Sequence, residues 1–338
     1  MSACRSKSSK NRLLLVMPYH QLARKAAEAG FKVWSLWDPW IPEADFLSQV
    51  ADASEELLHT SFADEARLRR LVTRISHQHN LGTVLHCGSG PSVLPVVEEA
   101  WHLGLSPNPP EALRRLREAD EPLDEPSAQV PRLAVQTLTV DGSHHVVGMA
   151  SQLTSGPPDF AVTGYLCPAP LSTPERAMVE QLVCLLLRAS GYRFGPAHTE
   201  VALTADGPRV VCCRPRLSPD RIPLLIQVAS GFDCEAALFD ALLGEAPRPR
   251  PAYQYAEIGF FPLPEGRLRA YTGTEDIAVT PWVRGARFPY TVHDRIPPAT
   301  DPRSRRAYVV VEGGSPEITG ERVRQARADL VTDIRTEG

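Results

Sequence analysis

The residues whose types and spacing can do chemistry gather in one stretch. Glu200 stands in "HTEV", and twelve residues on comes Cys212-Cys213-Arg214, followed by Pro215 and Arg216. A thiol is a nucleophile or a soft-metal ligand, and an adjacent Arg214 would lower its pKa. Neighbouring residues on a strand point to opposite faces, so Cys212 and Cys213 do not readily share one ion. Register with Glu200 and Arg214 puts Cys212 on the cavity side and Cys213 in the core. Buried small residues are the structural alternative for both. Glu200 and Arg214 form either a salt bridge or a charged pair lining a small-molecule pocket. Arg216 and Arg221 carry forks that grip a carboxylate or phosphate, with surface or interface ion pairs as the alternative. His198 lies two residues before Glu200, on the same strand face, and is a candidate general base. His144 and His145 follow a hairpin turn. None of the ten histidines has a second ligand at zinc spacing. The candidate catalytic set is Glu200, Arg214, Arg216, Cys212 and His198. The candidate substrate-binding set is Arg216, Arg221, Asp220 and His145.

The bulk composition excludes several classes. With 338 residues the chain can hold two or three packed units. A net charge of −4 provides no basic field for nucleic acid. No apolar run approaches a membrane span. Seven cysteines without a C-x-x-C pair fit a cytoplasmic chain with free thiols. All four lysines (7, 10, 25 and 32) precede residue 33, so no mechanism that needs a lysine can run beyond that point.

The elements that must position these residues are legible in outline. Residues 1–11 read as a flexible tail. Residues 12–105 read as a small α/β domain: strand "RLLLV", a helix closed by Gly30, strand "KVWSLW", an amphipathic helix over 62–80, strand 82–90, and a helix over 91–105 with Ser89 as a candidate cap. The loop "GSGPS" (88–92) is either a tight turn or an anion site at a helix start. Residues 106–131, rich in proline and charge with one short helical patch, read as a linker or surface excursion. Residues 132–153 read as a hairpin turning at Asp141-Gly142. "SGPPDF" (155–160) is a substrate loop or a plain proline turn. A capped helix spans 172–194, two strands span 197–204 and 208–213, and two helices end in Gly231 and Gly244. A β-rich segment follows from 252, with a closing Arg-rich helix over 319–334.

From Val135 to Gly244 the order of "VQTLTVDGSHHVVGMASQL", "CPAPLSTPE", "GYRFGPAHTEVALTADGPRVV" and "RPRLSPDRIPLLIQVASGFD" resembles the C-terminal half of the ATP-grasp fold, in its carboxylate–amine ligase branch. The leading domain and the β-rich tail are similar to that family's flanking parts, so the resemblance covers nearly the whole chain. The implied fold class is α/β, α+β in its C-terminal part: a small leading α/β domain plus a truncated ATP-grasp C-terminal lobe (132–338) with an antiparallel sheet flanked by helices. Two departures matter. The family's compact lobe with its phosphate-holding lysines has only 106–131 in its place, so that lobe is expected to be missing. The family's acid on one strand, matched by Glu200, faces a Glu-x-Asn triplet that holds Mg²⁺ ions bridging the ATP phosphates. Here the triplet reads Cys212-Cys213-Arg214. Pro215, Arg216 and "DRIP" (220–223) do match.

The resemblance therefore implies a degenerate ligase-like protein with no cofactor and no metal. It would bind a small carboxylate or amino-acid-like metabolite in a bacterial biosynthetic setting. An ATP-independent cyclisation, isomerisation, elimination or condensation is the leading expectation, with a homodimer as the assembly. A non-catalytic partner of a ligase or carrier protein is the alternative. An ATP-dependent carboxylate–amine ligase with a minimal nucleotide site is the third.

Overall fold

The computed structural model describes residues 11–39, 46–120, 130–157, 160–297, 301 and 305–335. The expected tail, much of the 106–131 segment and part of "SGPPDF" fall outside them. Strand β1 (Arg12–Val16) is wholly buried from Leu13 onward. Its side chains alternate between two cores. Leu14 and Val16 pack on the leading unit's own helices, while Leu13 and Leu15 meet residues from the C-terminal part. A strand covered on both faces is what a parallel sheet demands. β1 pairs in parallel with β2 (Lys32–Trp37) and β4 (Thr83–His86), and β3 (Glu56–His59) lies outside β2. Helices α1 (His20–Glu28), α2 (Leu47–Asp52), α3 (Glu65–Gln78) and α4 (Val93–His102) complete this unit. α2 and β3 were not anticipated, because they are short and α2 buries only Val50.

Ser89 does not cap α4. Ser92 occupies that position, and its hydroxyl is engaged by His86 Nε2 at 3.0 Å. "GSGPS" is thus a turn tied to its own strand. The segment after it differs from a linker. Helix α5 (Pro110–Glu118) buries Ala112, Leu113 and Leu116 against the large sheet. Three apolar residues on one face of nine supply the reason.

The large sheet is antiparallel and eight-stranded, in the order β12-β14-β10-β7-β6-β5-β8-β9. Its members are β5 (Arg132–Val140), β6 (Ser143–Thr154), β7 (Val162–Cys167), β8 (Gly195–Thr204), β9 (Gly207–Arg214), β10 (Tyr255–Phe260), β12 (Val283–Arg287) and β14 (Tyr308–Gly313). The β5–β6 hairpin turns at Asp141 and Gly142, both with positive φ, which matches strand twist. On one face lies α6 (Thr173–Ser190), started by a Ser172/Glu175 capping box and closed by left-handed Gly191. On the other face lie α7 (Ile222–Ser230) and α8 (Cys234–Leu242), which join the leading sheet in one core. Gly148 on β6 lets α7 approach, since a Cβ there would collide with Ile226.

A small sheet of β11 (Gly266–Thr272), β13 (Arg295–Ile296) and β15 (Val331–Arg335), with α9 (Thr274–Val279) and α10 (Pro316–Asp329), closes the chain. The closing helix expected over 319–334 stops at Asp329. Val331, Thr332 and Ile334 are β-branched and pair instead with β11. Among the described residues no single helix is long and apolar enough to cross a membrane.

Candidate functional site

A cavity of about 640 Å³ opens at the carboxyl end of the parallel strands. Ligands in open α/β sheets bind at that end because the loops there converge. Tyr19 arrives from the β1–α1 connection, Gln21 from the first turn of α1, and Phe46 from the start of α2. The turn before α7 contributes Ser218, Asp220 and Arg221, and the closing segment contributes Arg305, Arg306 and Tyr308. Asp220 and Arg221 both sit in the left-handed region (φ 56° and 62°), where non-glycine residues are strained by about 1 kcal/mol each. An ion pair holds them there: Arg305 Nη1 lies 2.8 Å from Asp220 Oδ2. Burial raises the pKa of Asp220, while Arg305 opposes the shift. The Arg221 guanidinium lies 5.7 Å from the centre of the Tyr308 ring and 3.4 Å from Gln21 Oε1.

Of the residues singled out in the sequence, only Asp220 and Arg221 line this cavity. Arg216 turns the other way. Its Nη1 donates to Leu217 O, and it borders a second cavity of about 50 Å³ beside Asn108 and Tyr192. Its Nε is buried without a hydrogen-bond partner, and burial lowers its pKa. His145 lies on β6 opposite Leu138 and lines neither cavity.

Glu200, His198, Cys212 and Arg214 form a separate group on β8 and β9. Register pairs Glu200 with Cys212 and His198 with Arg214. The expected Glu200–Arg214 bridge is replaced by two other pairings. Arg214 clamps Asp120, just beyond α5, with Nη1–Oδ1 and Nη2–Oδ2 both at 2.7 Å. Glu200 Oε1 lies 3.6 Å from His198 Nε2, and that contact holds the Glu200 carboxyl below its ordinary pKa. Cys213 is buried in the core as expected.

Cys212 departs from an activated thiol. Burial and the Glu200 carboxylate push it up to about 11, and Arg214 does not compensate. Its thiolate fraction at pH 8 is then roughly two-hundredfold below that of a free cysteine. Peptide-mapped alkylation with iodoacetamide at pH 8 should leave Cys212 largely unmodified while free cysteine reacts. Rapid, selective labelling of Cys212 would restore the nucleophile reading.

A buried polar relay links this group to the cavity. Gln136, wholly buried on β5, donates from Nε2 to the carbonyls of Thr137 and Ala197. Its Oε1 accepts from both the backbone N–H and the hydroxyl of Ser218. Ser218 Oγ also lies 2.8 Å from His198 Nδ1, so the relay runs from Gln136 through Ser218 to His198 and Glu200. His198 thus touches Ser218 through Nδ1 and faces Glu200 through Nε2.

The residues do not fit the metal ions this fold usually holds. Glu200 is a suitable hard ligand, but Cys212 is soft, and Arg214 puts a cation where a cation would sit. Among the described residues no group of three or more His, Cys, Asp or Glu side chains is placed to hold a metal.

The sheet order and the placement of the cavity define an ATP-grasp fold. The backbone superposes on the L-amino acid ligase of Bacillus licheniformis with a TM-score of 0.80 at 16% identity, covering 98% of this chain and 100% of that one. Phosphoribosylglycinamide synthetase from Anaerococcus prevotii superposes with a TM-score of 0.78 at 10% identity, covering 96% and 100%. N5-carboxyaminoimidazole ribonucleotide synthetase from Thermotoga maritima gives 0.69 at 14%, covering 96% and 100%. In sequence, residues 259–335 match the L-amino acid ligase C-terminal domain 2. A 114-residue stretch is 31% identical to the uncharacterized protein y4rH of Sinorhizobium fredii, covering 31% of this chain and 24% of that protein's length. The superpositions run the full length of both chains and give no support to a missing lobe.

Sequence reasoning missed Tyr19, Glu235, Asp120, Gln136, Ser218 and Arg305. Tyr19 had a usable signal, since it follows the first strand of a parallel sheet. The others depend on contacts across the fold.

Proposed function

We propose that this protein binds a small carboxylic acid of the amino-acid type in the 640 Å³ cavity and acts on it without magnesium-bridged ATP. The observation that carries the reading is the Arg214–Asp120 clamp, which fills the strand position where a phosphate-bridging cation would need oxygen ligands. The lack of any lysine after Lys32 supports it. Arg221, Arg305 and Arg306 supply guanidinium groups for the acid. The match of residues 259–335 to an L-amino acid ligase domain favours an amino-acid-like ligand. The reaction class we favour is a condensation, cyclisation, isomerisation or elimination that needs no phosphoryl transfer.

A second reading, ATP-dependent ligation of amino acids, is favoured by the full-length likeness to the Bacillus licheniformis enzyme. Titration calorimetry of the full chain separates the two. Wild type should show no saturable heat with ATP and Mg²⁺, yet bind amino acids with an affinity that Arg221→Ala weakens about tenfold or more. Micromolar binding of ATP with Mg²⁺ would overturn the first reading in favour of the second. Binding of neither would leave a non-catalytic partner.

A further inference from the structure

One buried acid in the cavity has no role in the reading above. Glu235 stands in the first turn of α8, is 8% exposed, and lines the main cavity. Its Oε1 accepts a hydrogen bond from the Tyr19 hydroxyl, 216 residues away on the leading unit. Among the described residues no hydrogen bond reaches its Oε2. Burial raises its pKa, and the Tyr19 hydrogen bond opposes that shift.

Two of the neighbouring charges, Asp233 and Lys25, are committed to each other. Asp233 uses Oδ1 to accept from the backbone N–H groups of Glu235 and Ala236, capping α8. Its Oδ2 takes Lys25 Nζ at 2.8 Å. Lys25 therefore belongs to Asp233. Arg221 is near enough to favour the Glu235 carboxylate, but its hydrogen bond goes to Gln21 and its face to Tyr308. A largely buried carboxylate with one oxygen open to a ligand-sized cavity is costly unless a cation meets it.

The geometry points to Glu235, oriented by Tyr19, as the subsite for the ligand's ammonium group. The cavity then has two poles. Glu235 supplies the negative one at the α1–α8 junction, and Arg221, Arg305 and Arg306 supply the positive one. This rests on the reading that the cavity binds an acid of the amino-acid type, and it assigns the residue that meets that acid's amine. A plain carboxylic acid of the same skeleton would leave Glu235 unpaired and bind worse. Tyr19 is a positioning residue: its hydroxyl fixes the carboxylate so that Oε2 faces the cavity.

The test compares matched probes by calorimetry on the full chain: L-alanine with propanoate, L-leucine with 4-methylpentanoate, L-phenylalanine with 3-phenylpropanoate, and L-glutamate with glutarate. Wild type should prefer the amino member of the best-binding pair by about ten- to a hundredfold, the range for a charge-assisted contact. Glu235→Gln, which keeps an acceptor for Tyr19, should remove most of that preference while leaving the des-amino acid's affinity unchanged. Tyr19→Phe should reduce the preference without abolishing it. A purely structural Glu235 would lower the melting point in Glu235→Gln and leave the preference intact, and that result overturns the inference alone. Equal binding of both members by wild type does the same. If no member of any pair binds, the acid-binding reading falls and takes this one with it.

Discussion

Gln136→Leu should destabilise the protein by roughly 3 kcal/mol or more and abolish acid binding in the cavity, because one side chain anchors the whole turn from Ser218 to Arg221. Gln136 is fully buried and makes four hydrogen bonds. Leucine has a similar volume, so no large void forms. The cost lies in the groups left behind. The Ser218 N–H loses its acceptor in a buried setting, and the carbonyl of Ala197 loses one of its two side-chain donors, the other being the Thr137 hydroxyl. Each unsatisfied buried group costs about 1–3 kcal/mol. The turn beyond already carries two residues of positive φ, and its ion pair to Arg305 must then hold it alone. Ser218→Ala is the graded control. It keeps the backbone N–H bond to Gln136 and should cost about 1 kcal/mol. Urea denaturation measures the stabilities, and calorimetry with amino acids measures the binding. A Gln136→Leu protein with wild-type midpoint and affinity would show that the turn is held by other contacts.

This prediction marks the boundary of what could be read from the sequence. Local signals were reliable. The run "RLLLV" gave a doubly buried strand, and Ser172 with Glu175 gave a helix start three residues wide. The two-part layout followed from periodicity and from the resemblance. What failed was partner choice. A Glu200–Arg214 bridge in place of an acid–metal pairing is one of two readings the sequence allows, yet the register puts Arg214 opposite His198 and Glu200 opposite Cys212. Asp120 reaches Arg214 from 94 residues away because α5 packs on the sheet, and α5 lay in a segment whose composition suggested a linker. Tyr19 and Glu235 meet only because β1 and α8 share a core. Spacing along a chain cannot predict such pairs. The cavity's location was foreseeable in principle, from the carboxyl ends of parallel strands; Arg221 stands in the matching "DRIP" run, but Arg305 and Arg306 come from a distant segment without a local motif.

The double replacement C212E/R214N should create a magnesium site where the wild-type residues do not fit one. Glutamate at 212 would face Glu200 across the β8–β9 register, and asparagine at 214 would add an amide oxygen two residues on. Removing the arginine also releases Asp120, which then stands as a third carboxylate at the same sheet edge. Three acids and an amide form the hard-oxygen set that Mg²⁺ prefers. Without a cation they repel one another. The metal-free variant should therefore be less stable than wild type by about 1–2 kcal/mol, partly from the lost clamp, whose residues are about a third exposed and so contribute modestly. Mg²⁺ at ten times its dissociation constant should restore about 1.4 kcal/mol by mass action. Thermal melts read this directly: the variant's midpoint rises with Mg²⁺ and falls again with EDTA, whereas wild type does not respond. Arg214→Asn alone, with Cys212 kept, should respond weakly, because the thiol contributes no hard ligand. A variant that melts identically with and without Mg²⁺ would mean that the backbone here no longer brings the oxygens together. The Arg214–Asp120 clamp would then be a consequence of a rebuilt corner rather than a substitution within a preserved one. If the site does form, repeating the ATP titration on the variant tells whether metal alone was the missing component. Heat appearing only in C212E/R214N would place the nucleotide's defect in those two residues, and continued silence would place it in the phosphate-holding lysines that the sequence lacks after position 32.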